Sequence, residues 1–300
     1  MSSTIPVIIN AGAGNHHAAS RANTIAALFL AAGIEVDVRF AESGPDLEAL
    51  VRAAVSQRPR TLIVAGGDGT ISTAAGAVAG TPIALGVLPF GTLNHFAKDL
   101  GIPLELETSV QSIIDGNVIA IDVGEVNGRV FINNSSLGMY PDIVRDRERQ
   151  ETRLGRGKWR SMVWASLSAF RRSPFVRVRI EVGSEKRLFR TPIVFIGNNV
   201  YEMEGFKIGG RGSLESGVLS IYIVKRPGRM ALVRLALEAL LSRLDQDRDF
   251  ETLTATDIVI ETRHKQILVA ADGEVQRMSS PLHYRTRRRE LRVIVPRVVG

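Results

Sequence analysis

The run Gly66-Gly67-Asp68-Gly69-Thr70 carries the clearest chemical signal in this chain, at the point where an apolar segment ends in a glycine-rich turn. Glycine lets the backbone adopt a positive φ and bring its N–H groups close to an anion, where a side chain would stand in the way. A helix predicted over residues 71–79 would add the positive end of its dipole. The run therefore indicates a phosphate-binding loop, although Gly and Asp together also form plain tight turns.

Asp68 needs a separate explanation, because its negative charge would repel a phosphate group bound by the same loop. A cation between the carboxylate and the phosphate removes this conflict, and Mg²⁺ prefers oxygen ligands of both kinds. A nucleoside triphosphate is the usual partner of Mg²⁺ in such a site. The residue types therefore predict that Asp68 acts through Mg²⁺ held together with a nucleotide.

Two further loops with the composition of phosphate sites, residues 10–14 and 89–94, also follow predicted strands. Across residues 1–122 short apolar strands alternate with helices, which is typical of a parallel sheet covered on both faces. Such sheets bind their ligands at the carboxyl ends of the strands. We therefore predict an α/β domain over residues 1–122, with all three loops at its ligand-binding edge.

Residues 123–300 follow a different pattern, in which apolar and polar residues alternate over short segments. A period of two is typical of strands with one buried face and predicts an antiparallel sandwich or barrel. The charge changes at the same boundary: residues 1–122 carry six Lys and Arg against eleven Asp and Glu, and the remainder carries 32 against 20. This basic second domain predicts an anionic partner, with nucleic acid and a membrane surface as the two candidates.

Composition also excludes several kinds of site. The chain has no cysteine, so disulfides, thiolate zinc sites and cysteine nucleophiles are excluded. Its apolar stretches are too short or too interrupted by charge to cross a bilayer, which takes about 20 residues. The first residues lack the basic and apolar segments of a secretory signal. We therefore expect a cytoplasmic protein of two domains.

Three motifs in order now identify a family. Gly66-Gly67-Asp68-Gly69-Thr70, residues 89–97 (Pro-Phe-Gly-Thr-Leu-Asn-His-Phe-Ala) and Asp272-Gly273-Glu274 make the chain resemble the soluble lipid kinases of the diacylglycerol kinase and sphingosine kinase type. The resemblance covers most of the chain. It implies an N-terminal α/β domain of the NAD kinase and phosphofructokinase type and a mainly antiparallel β-sandwich as the C-terminal domain. NAD kinases carry a close relative of the glycine motif, so an NAD kinase stays an alternative.

The resemblance implies ATP and Mg²⁺ as cofactors, and it assigns roles to particular residues. The residues predicted to bind the nucleotide are Asn10, Gly12, Gly14, Gly66, Gly67, Asp68, Gly69, Thr70, Ser72, Gly91, Thr92 and Asn94. Asp68, Asp272 and Glu274 are predicted to be catalytic, with Asp272 or Glu274 accepting the proton of the substrate hydroxyl. The sequence does not choose between these two, and Asp-Gly-Glu alone also fits a hairpin turn.

The chain departs from the family pattern at two positions. His95 replaces an aspartate of the second motif, so a carboxylate near the phosphates is absent. Ser216 replaces the aspartate of an Asp-Gly pair that the family places near a structural Mg²⁺ site. These departures keep open the alternative of a relative that binds lipid or nucleotide without catalysis.

Taken together, the sequence predicts an ATP-dependent lipid kinase that phosphorylates the hydroxyl of a diacylglycerol-like or sphingoid lipid. We expect a cytoplasmic enzyme that associates peripherally with an anionic membrane surface, and no nucleic-acid partner. Residues 158–172 combine tryptophans with cations and fit either a membrane contact or a packed helix with a basic face. The sequence leaves the lipid and the oligomeric state open, including a homodimer.

Overall fold

The computed structural model describes residues 4–11, 18–138, 175–204, 207–225 and 250–297. The predicted binding residues Gly12 and Gly14, and the segment 158–172, lie outside the described residues. Internal contacts divide the chain into two compact units: unit 1 comprises Met1–Val123 and Arg288–Gly300, and unit 2 comprises Gly124–Arg287. The chain therefore passes from one unit to the other twice.

Unit 1 alternates strands and helices. Its elements are β1 (Ile5–Asn10), α1 (Ala18–Ala31), β2 (Val36–Ala41), α2 (Gly44–Ser56), β3 (Thr61–Gly66), α3 (Asp68–Val78), β4 (Ala84–Pro89), α4 (His95–Asp99), α5 (Leu106–Asp115), the first part of β5 (Asn117–Val126) and the last part of β18 (Leu282–Val295). The strands lie in the order β2-β1-β3-β4-β18, and each neighbouring pair is parallel. The predicted parallel α/β domain is confirmed.

The carboxyl ends of β1, β3 and β4 lie side by side. Ile9 stands opposite Ala65, and Gly66 stands opposite Pro89 in the parallel register. β3 and β4 are buried along almost their whole length, as expected of central strands covered on both faces. The loops that follow these strands therefore start at one edge of the sheet, where the ligand site was predicted.

Helix α3 begins three residues before the predicted start at residue 71. Gly67 is extended, with φ −86°, and Asp68 is the first helical residue. A negative residue in the first turn of a helix interacts favourably with the helix dipole. A prediction from the pattern of apolar residues does not take this interaction into account. Asp68, Gly69 and Thr70 are thus the first turn of a helix rather than part of a free loop.

The end of the chain differs from the predicted boundary, which assigned everything after residue 122 to the second domain. Residues 288–300 belong to unit 1, because Arg292 and Val293 pair with Ala84 and Leu85 of β4. The backbone N–H of Gly80 also donates to the carbonyl of Glu290 at 2.7 Å. Parallel pairing across this sequence distance leaves no local signal in the sequence.

Unit 2 is built from antiparallel strands. Its elements are the end of β5, β6 (Arg129–Phe131), β7 (Asn134–Gly138), β8 (Val176–Val182), β9 (Glu185–Thr191), β10 (Ile193–Asn198), β11 (Tyr201–Glu204), β12 (Lys207–Arg211), β13 (Leu219–Val224), β14 (Phe250–Ala255), β15 (Asp257–Thr262), β16 (Gln266–Ala271), β17 (Glu274–Ser279) and the start of β18. One sheet has the order β18-β15-β8-β9, and the other has the order β14-β13-β10-β7-β16-β17. β11 and β12 form a separate hairpin.

The core of unit 2 draws apolar side chains from both sheets, as in a sandwich. Ile180 and Ile260 come from one sheet, and Ile196 and Ile221 come from the other. The buried Tyr284 hydroxyl lies 3.1 Å from the Ser135 hydroxyl. Burial raises the pKa of this phenol, and the hydrogen bond to Ser135 lowers it by less. The predicted antiparallel sandwich is confirmed.

No helix within the described residues is long and apolar enough to cross a membrane.

Candidate active site

Helix α3 follows β3 after one residue, Gly67, and the N–H groups of its first turn have no side-chain cap. The first N–H groups of any helix have no partner within the helix, so they are available to an anion. Thr70 packs against Gly66, where an added Cβ would lie 2.5 Å from the threonine side chain. Asn10 Nδ2 donates to Thr70 Oγ1 at 2.8 Å, which joins the end of β1 to the start of α3.

The second predicted loop approaches the first one backbone to backbone. A Cβ added to Gly91 would lie 2.6 Å from Gly67 Cα, so neither loop leaves room for a side chain at Gly91. Asn94 closes its own loop, because Gly91 N–H donates to Asn94 Oδ1 at 2.9 Å and Asn94 Nδ2 donates to Gly91 O at 2.8 Å. The side chain of Asn94 therefore shapes the loop.

Asp68 is oriented by this second loop. The backbone N–H of Phe96, near the start of α4, donates to Asp68 Oδ1 at 3.2 Å. For Asp68 Oδ2 the described residues provide no hydrogen-bond donor. Phe96 itself is fully buried, so the donor is held in place by the core. One carboxylate oxygen is thus fixed, and the other is available to a metal ion or a hydroxyl group.

The remaining predicted residues of unit 1 fall into different environments. Ser72 is half-buried on α3, and Thr92 is exposed in the loop after β4. His95, the departure from the family motif, is exposed as the first residue of α4. Sequence reasoning missed a cation at this edge: the Arg21 guanidinium lies 4.7 Å from the centre of the Phe90 ring. A single arginine on a helix gives no sequence signal for such a contact.

In unit 2, Asp272 and Gly273 form the turn between β16 and β17, with φ 48° and 86°. Two residues with positive φ are what a two-residue hairpin of type I′ requires, so the hairpin alternative is confirmed in geometry. The Asp272 carboxylate accepts three backbone N–H groups, from Ile132 at 2.8 Å, Asn133 at 2.8 Å and Asn134 at 3.1 Å. Asp272 therefore anchors the hairpin to the segment before β7.

Glu274 has a different environment from Asp272. Its carboxylate forms an ion pair with Arg129, and 52% of its side-chain surface is accessible. An exposed pair of this kind contributes little to stability. Glu274 can therefore exchange partners, whereas Asp272 cannot do so without releasing three backbone donors.

The sequence analysis missed a buried polar cluster that binds residues 132 and 133, the segment whose N–H groups donate to Asp272. Arg211, which is 7% exposed, donates to Ile132 O at 2.6 Å and to Asn133 Oδ1 at 3.1 Å. Tyr201 Oη donates to Asn133 O at 2.9 Å, and Asn198 Nδ2 donates to Ile132 O at 3.0 Å. The carbonyl groups of this segment are thus held by one cluster, while its N–H groups are held by Asp272.

Ser216 forms a direct protein contact. Its hydroxyl donates to Asn199 Oδ1 at 2.6 Å, and Asn199 is fully buried. Among the described residues, no group of three or more His, Asp and Glu side chains could hold a metal ion. The described part of unit 2 therefore offers no carboxylate-rich metal site.

The residues of unit 1 fit the nucleotide phosphates that the motifs imply. Gly66 and Gly91 allow close packing of the two loops, because a Cβ at these positions would overlap Thr70 and Gly67, and we call this backbone arrangement beside the uncapped first turn of α3 the glycine cradle. Asp68 supplies a carboxylate oxygen, the kind of ligand that Mg²⁺ prefers. Asp68 is the residue that would hold the ion together with the nucleotide.

Comparison with known proteins agrees with this geometry. The family model for the diacylglycerol kinase catalytic domain matches residues 4–126. The model for the YegS C-terminal NAD kinase beta sandwich-like domain matches residues 141–295. Between them the two matches cover most of both units.

Individual relatives match over different lengths. A diacylglycerol kinase of Bacillus subtilis is 28% identical over 278 residues, which is 90% of this chain and 88% of the relative. A protein of Pseudomonas syringae named probable lipid kinase YegS-like is 39% identical over 114 residues, which is 37% of each chain. The crystal structure of a diacylglycerol kinase from Bacillus anthracis has a TM-score of 0.69 at 19% identity and covers 99% of this chain and 98% of its own. This last likeness concerns the fold alone.

Proposed function

Since the chain belongs to the diacylglycerol kinase catalytic domain family, with a C-terminal domain of the YegS type, we propose that it transfers the γ-phosphate of ATP to the hydroxyl of a lipid. The proposed acceptor is a diacylglycerol-like or sphingoid lipid at a membrane surface. The observation that carries the proposal is the glycine cradle at the start of α3, with one oxygen of Asp68 available beside it.

Unit 1 is proposed to bind the nucleotide. The N–H groups of the first turn of α3 would hold phosphate oxygens, and Asp68 would hold Mg²⁺, which supplies charge neutralisation when bound. Asn10, Thr70 and Asn94 would act indirectly, because their side chains bind other parts of the loops. Phosphoryl transfer depends mainly on the positioning of the reacting groups and on neutralisation of the phosphate charge. A rigid cradle for the phosphates therefore suits the reaction.

Unit 2 is proposed to supply the proton acceptor, and Glu274 fits this role better than Asp272. Asp272 already accepts three backbone donors, whereas within the described residues Glu274 has one exposed ion pair, with Arg129. In the proposed step the lipid hydroxyl oxygen bonds to the γ-phosphorus, and the bond from that phosphorus to the bridging oxygen of ADP breaks. The hydroxyl proton passes to the Glu274 carboxylate.

An acceptor panel tests the proposal. The purified chain is incubated with Mg²⁺ and ATP labelled in the γ-phosphate, and with diacylglycerol, sphingosine or NAD as acceptor, the lipids being dispersed in detergent. Label is expected in one of the lipids, and Asp68→Asn is expected to lower the rate by a factor of about 100 or more.

Two results would overturn the proposal. Label in NAD alone would identify an NAD kinase. Tight ATP binding with no labelled product on a broad lipid panel would identify a relative without catalysis, the alternative that His95 and Ser216 raise.

A further inference from the structure

The outer face of the β8–β9 hairpin carries two arginines directly opposite each other. Arg177 pairs with Arg190 in the antiparallel register, and both side chains are exposed. Like charges facing each other across two strands destabilise the pair. Within the described residues neither arginine has a carboxylate partner; Arg190 lies over the Phe175 ring, 5.0 Å from its centre. A bound anion would relieve this repulsion.

The neighbouring strand β15 adds to the same end of the sheet. Thr262 stands opposite Val178, so Arg263, the next residue, follows at the level of Arg177. Arg263 and Lys265 are exposed, and neither forms an ion pair within the described part of unit 2. We call Arg177, Arg190, Arg263 and Lys265 the basic end.

Several other cations of unit 2 have carboxylate partners within the protein. Arg179, two residues along β8, pairs with Glu261 at 2.9 Å. Arg285 and Arg287 both pair with the buried Glu125, at 2.8 and 3.2 Å. Arg285 and Arg287 of β18 therefore have a carboxylate partner, whereas the four cations of the basic end have none within the described residues.

Apolar surface accompanies these charges. Leu188 lies two residues before Arg190 on the outer face of β9 and is 76% exposed. Phe175 is half-buried beneath the Arg190 guanidinium. Cations together with an exposed aliphatic side chain suit the boundary between lipid headgroups and acyl chains, where charge and apolar contact add.

We propose that the basic end is a docking surface for anionic lipid headgroups in a membrane. Phosphate groups of the bilayer would lie against Arg177, Arg190, Arg263 and Lys265, and Leu188 would enter the interface. A nucleic acid would also suit the charges, but Leu188 offers neither a stacking surface nor a hydrogen bond to a base. The inference rests on the proposed function for its purpose, whereas the binding itself can be measured without catalysis.

Vesicle sedimentation tests this surface. The full chain is mixed with vesicles of two parts phosphatidylcholine to one part phosphatidylglycerol, or of phosphatidylcholine alone. Binding is expected only to the anionic vesicles and should weaken as salt is raised. Each cation contributes roughly a factor of five near an anionic surface, so R177Q/R190Q should bind about 30-fold more weakly.

The matched control is R58Q/R60Q, which removes two exposed arginines of unit 1 and changes the net charge equally. It should bind vesicles within about twofold of the wild type, because it leaves the proposed docking surface intact. If binding depended only on the net charge of the protein, the two double variants would lose the same affinity. Equal losses in the two double variants would overturn the proposal, as would wild-type binding by R177Q/R190Q. Loss of duplex DNA binding with vesicle binding unchanged would assign the surface to nucleic acid instead.

The kinase proposal is tested separately on detergent-dispersed lipid, which needs no bilayer. Retained transfer there with no vesicle binding would contradict the docking surface alone. Vesicle binding with no transfer to any lipid would contradict the kinase proposal alone.

Discussion

Asp272 and Glu274 are two residues apart and belong to one motif, yet their surroundings give them different capacities. Asp272 accepts N–H groups from residues 132–134, while Glu274 is exposed beside Arg129. A carboxylate that satisfies three backbone donors stabilises the fold, because any donor left without a partner when buried is costly. At the residue scale the motif thus divides into an anchor, Asp272, and an exposed carboxylate, Glu274, which we propose as the proton acceptor.

The anchor role of Asp272 predicts a loss of stability in Asp272→Asn. The amide can still accept from Asn133 and Asn134, but its NH₂ group would face the N–H of Ile132, which loses its acceptor. We expect the free energy of unfolding to fall by about 1–3 kcal/mol. Urea titration followed by circular dichroism measures this change.

The control is Asp257→Asn, an exposed aspartate of the same unit, which should change the unfolding free energy by less than about 0.5 kcal/mol. Equal stability of D272N and D257N would contradict the anchor role.

At the scale of elements, the loops after β3 and β4 form one structure, because Gly67 and Gly91 touch through their backbones. The sequence predicted both loops from their glycines and placed them at one edge from strand alternation. It did not predict their contact, nor the three bonds of Asp272, which join residues about 140 positions apart. Local patterns report turns and periodicity, whereas such contacts depend on the folded chain.

The close approach of the loops predicts a specific effect for Gly91→Ala. The added Cβ would lie 2.6 Å from Gly67 Cα, so backbone has to move on one side. We expect a loss of about 1–3 kcal/mol in stability and ATP binding about tenfold weaker. Thermal unfolding and calorimetric titration with ATP measure the two effects.

Gly44→Ala is the matched control, since Gly44 begins α2 and has open space around its Cα. It should leave ATP binding unchanged and should preserve or slightly raise stability. If G91A bound ATP as well as G44A does, the rigid cradle would be wrong.

At the scale of the whole molecule, the last strand belongs to two units. β18 starts in unit 2 and ends in unit 1, where Leu291 and Val293 are fully buried. The sequence divided the chain at residue 122 because periodicity and charge both change there. It could not assign residues 288–300 to the first unit, since one short apolar strand fits either sheet.

This assignment predicts that Val293→Ala destabilises the protein by about 1–3 kcal/mol, because it removes two buried methyl groups beside β4. Val118→Ala on β5, where the side chain is 56% exposed, should change stability by less than about 0.5 kcal/mol. Thermal unfolding compares the two variants. Equal melting temperatures would argue against a buried place for β18 in unit 1.

We propose that the chain phosphorylates a lipid with Glu274 as the proton acceptor. Glu261 offers a close control: it is an exposed glutamate of unit 2 paired with an arginine, and 48% of its side chain is accessible against 52% for Glu274. The decisive measurement is the rate of label transfer from γ-labelled ATP to detergent-dispersed lipid by the wild type, Glu274→Gln and Glu261→Gln, with ATP binding and melting temperature recorded for each.

We predict that E274Q loses a factor of about 10²–10⁴ in rate while it binds ATP and melts like the wild type. E261Q should keep the wild-type rate. Full activity of E274Q, or equal losses in both variants, would contradict the claim.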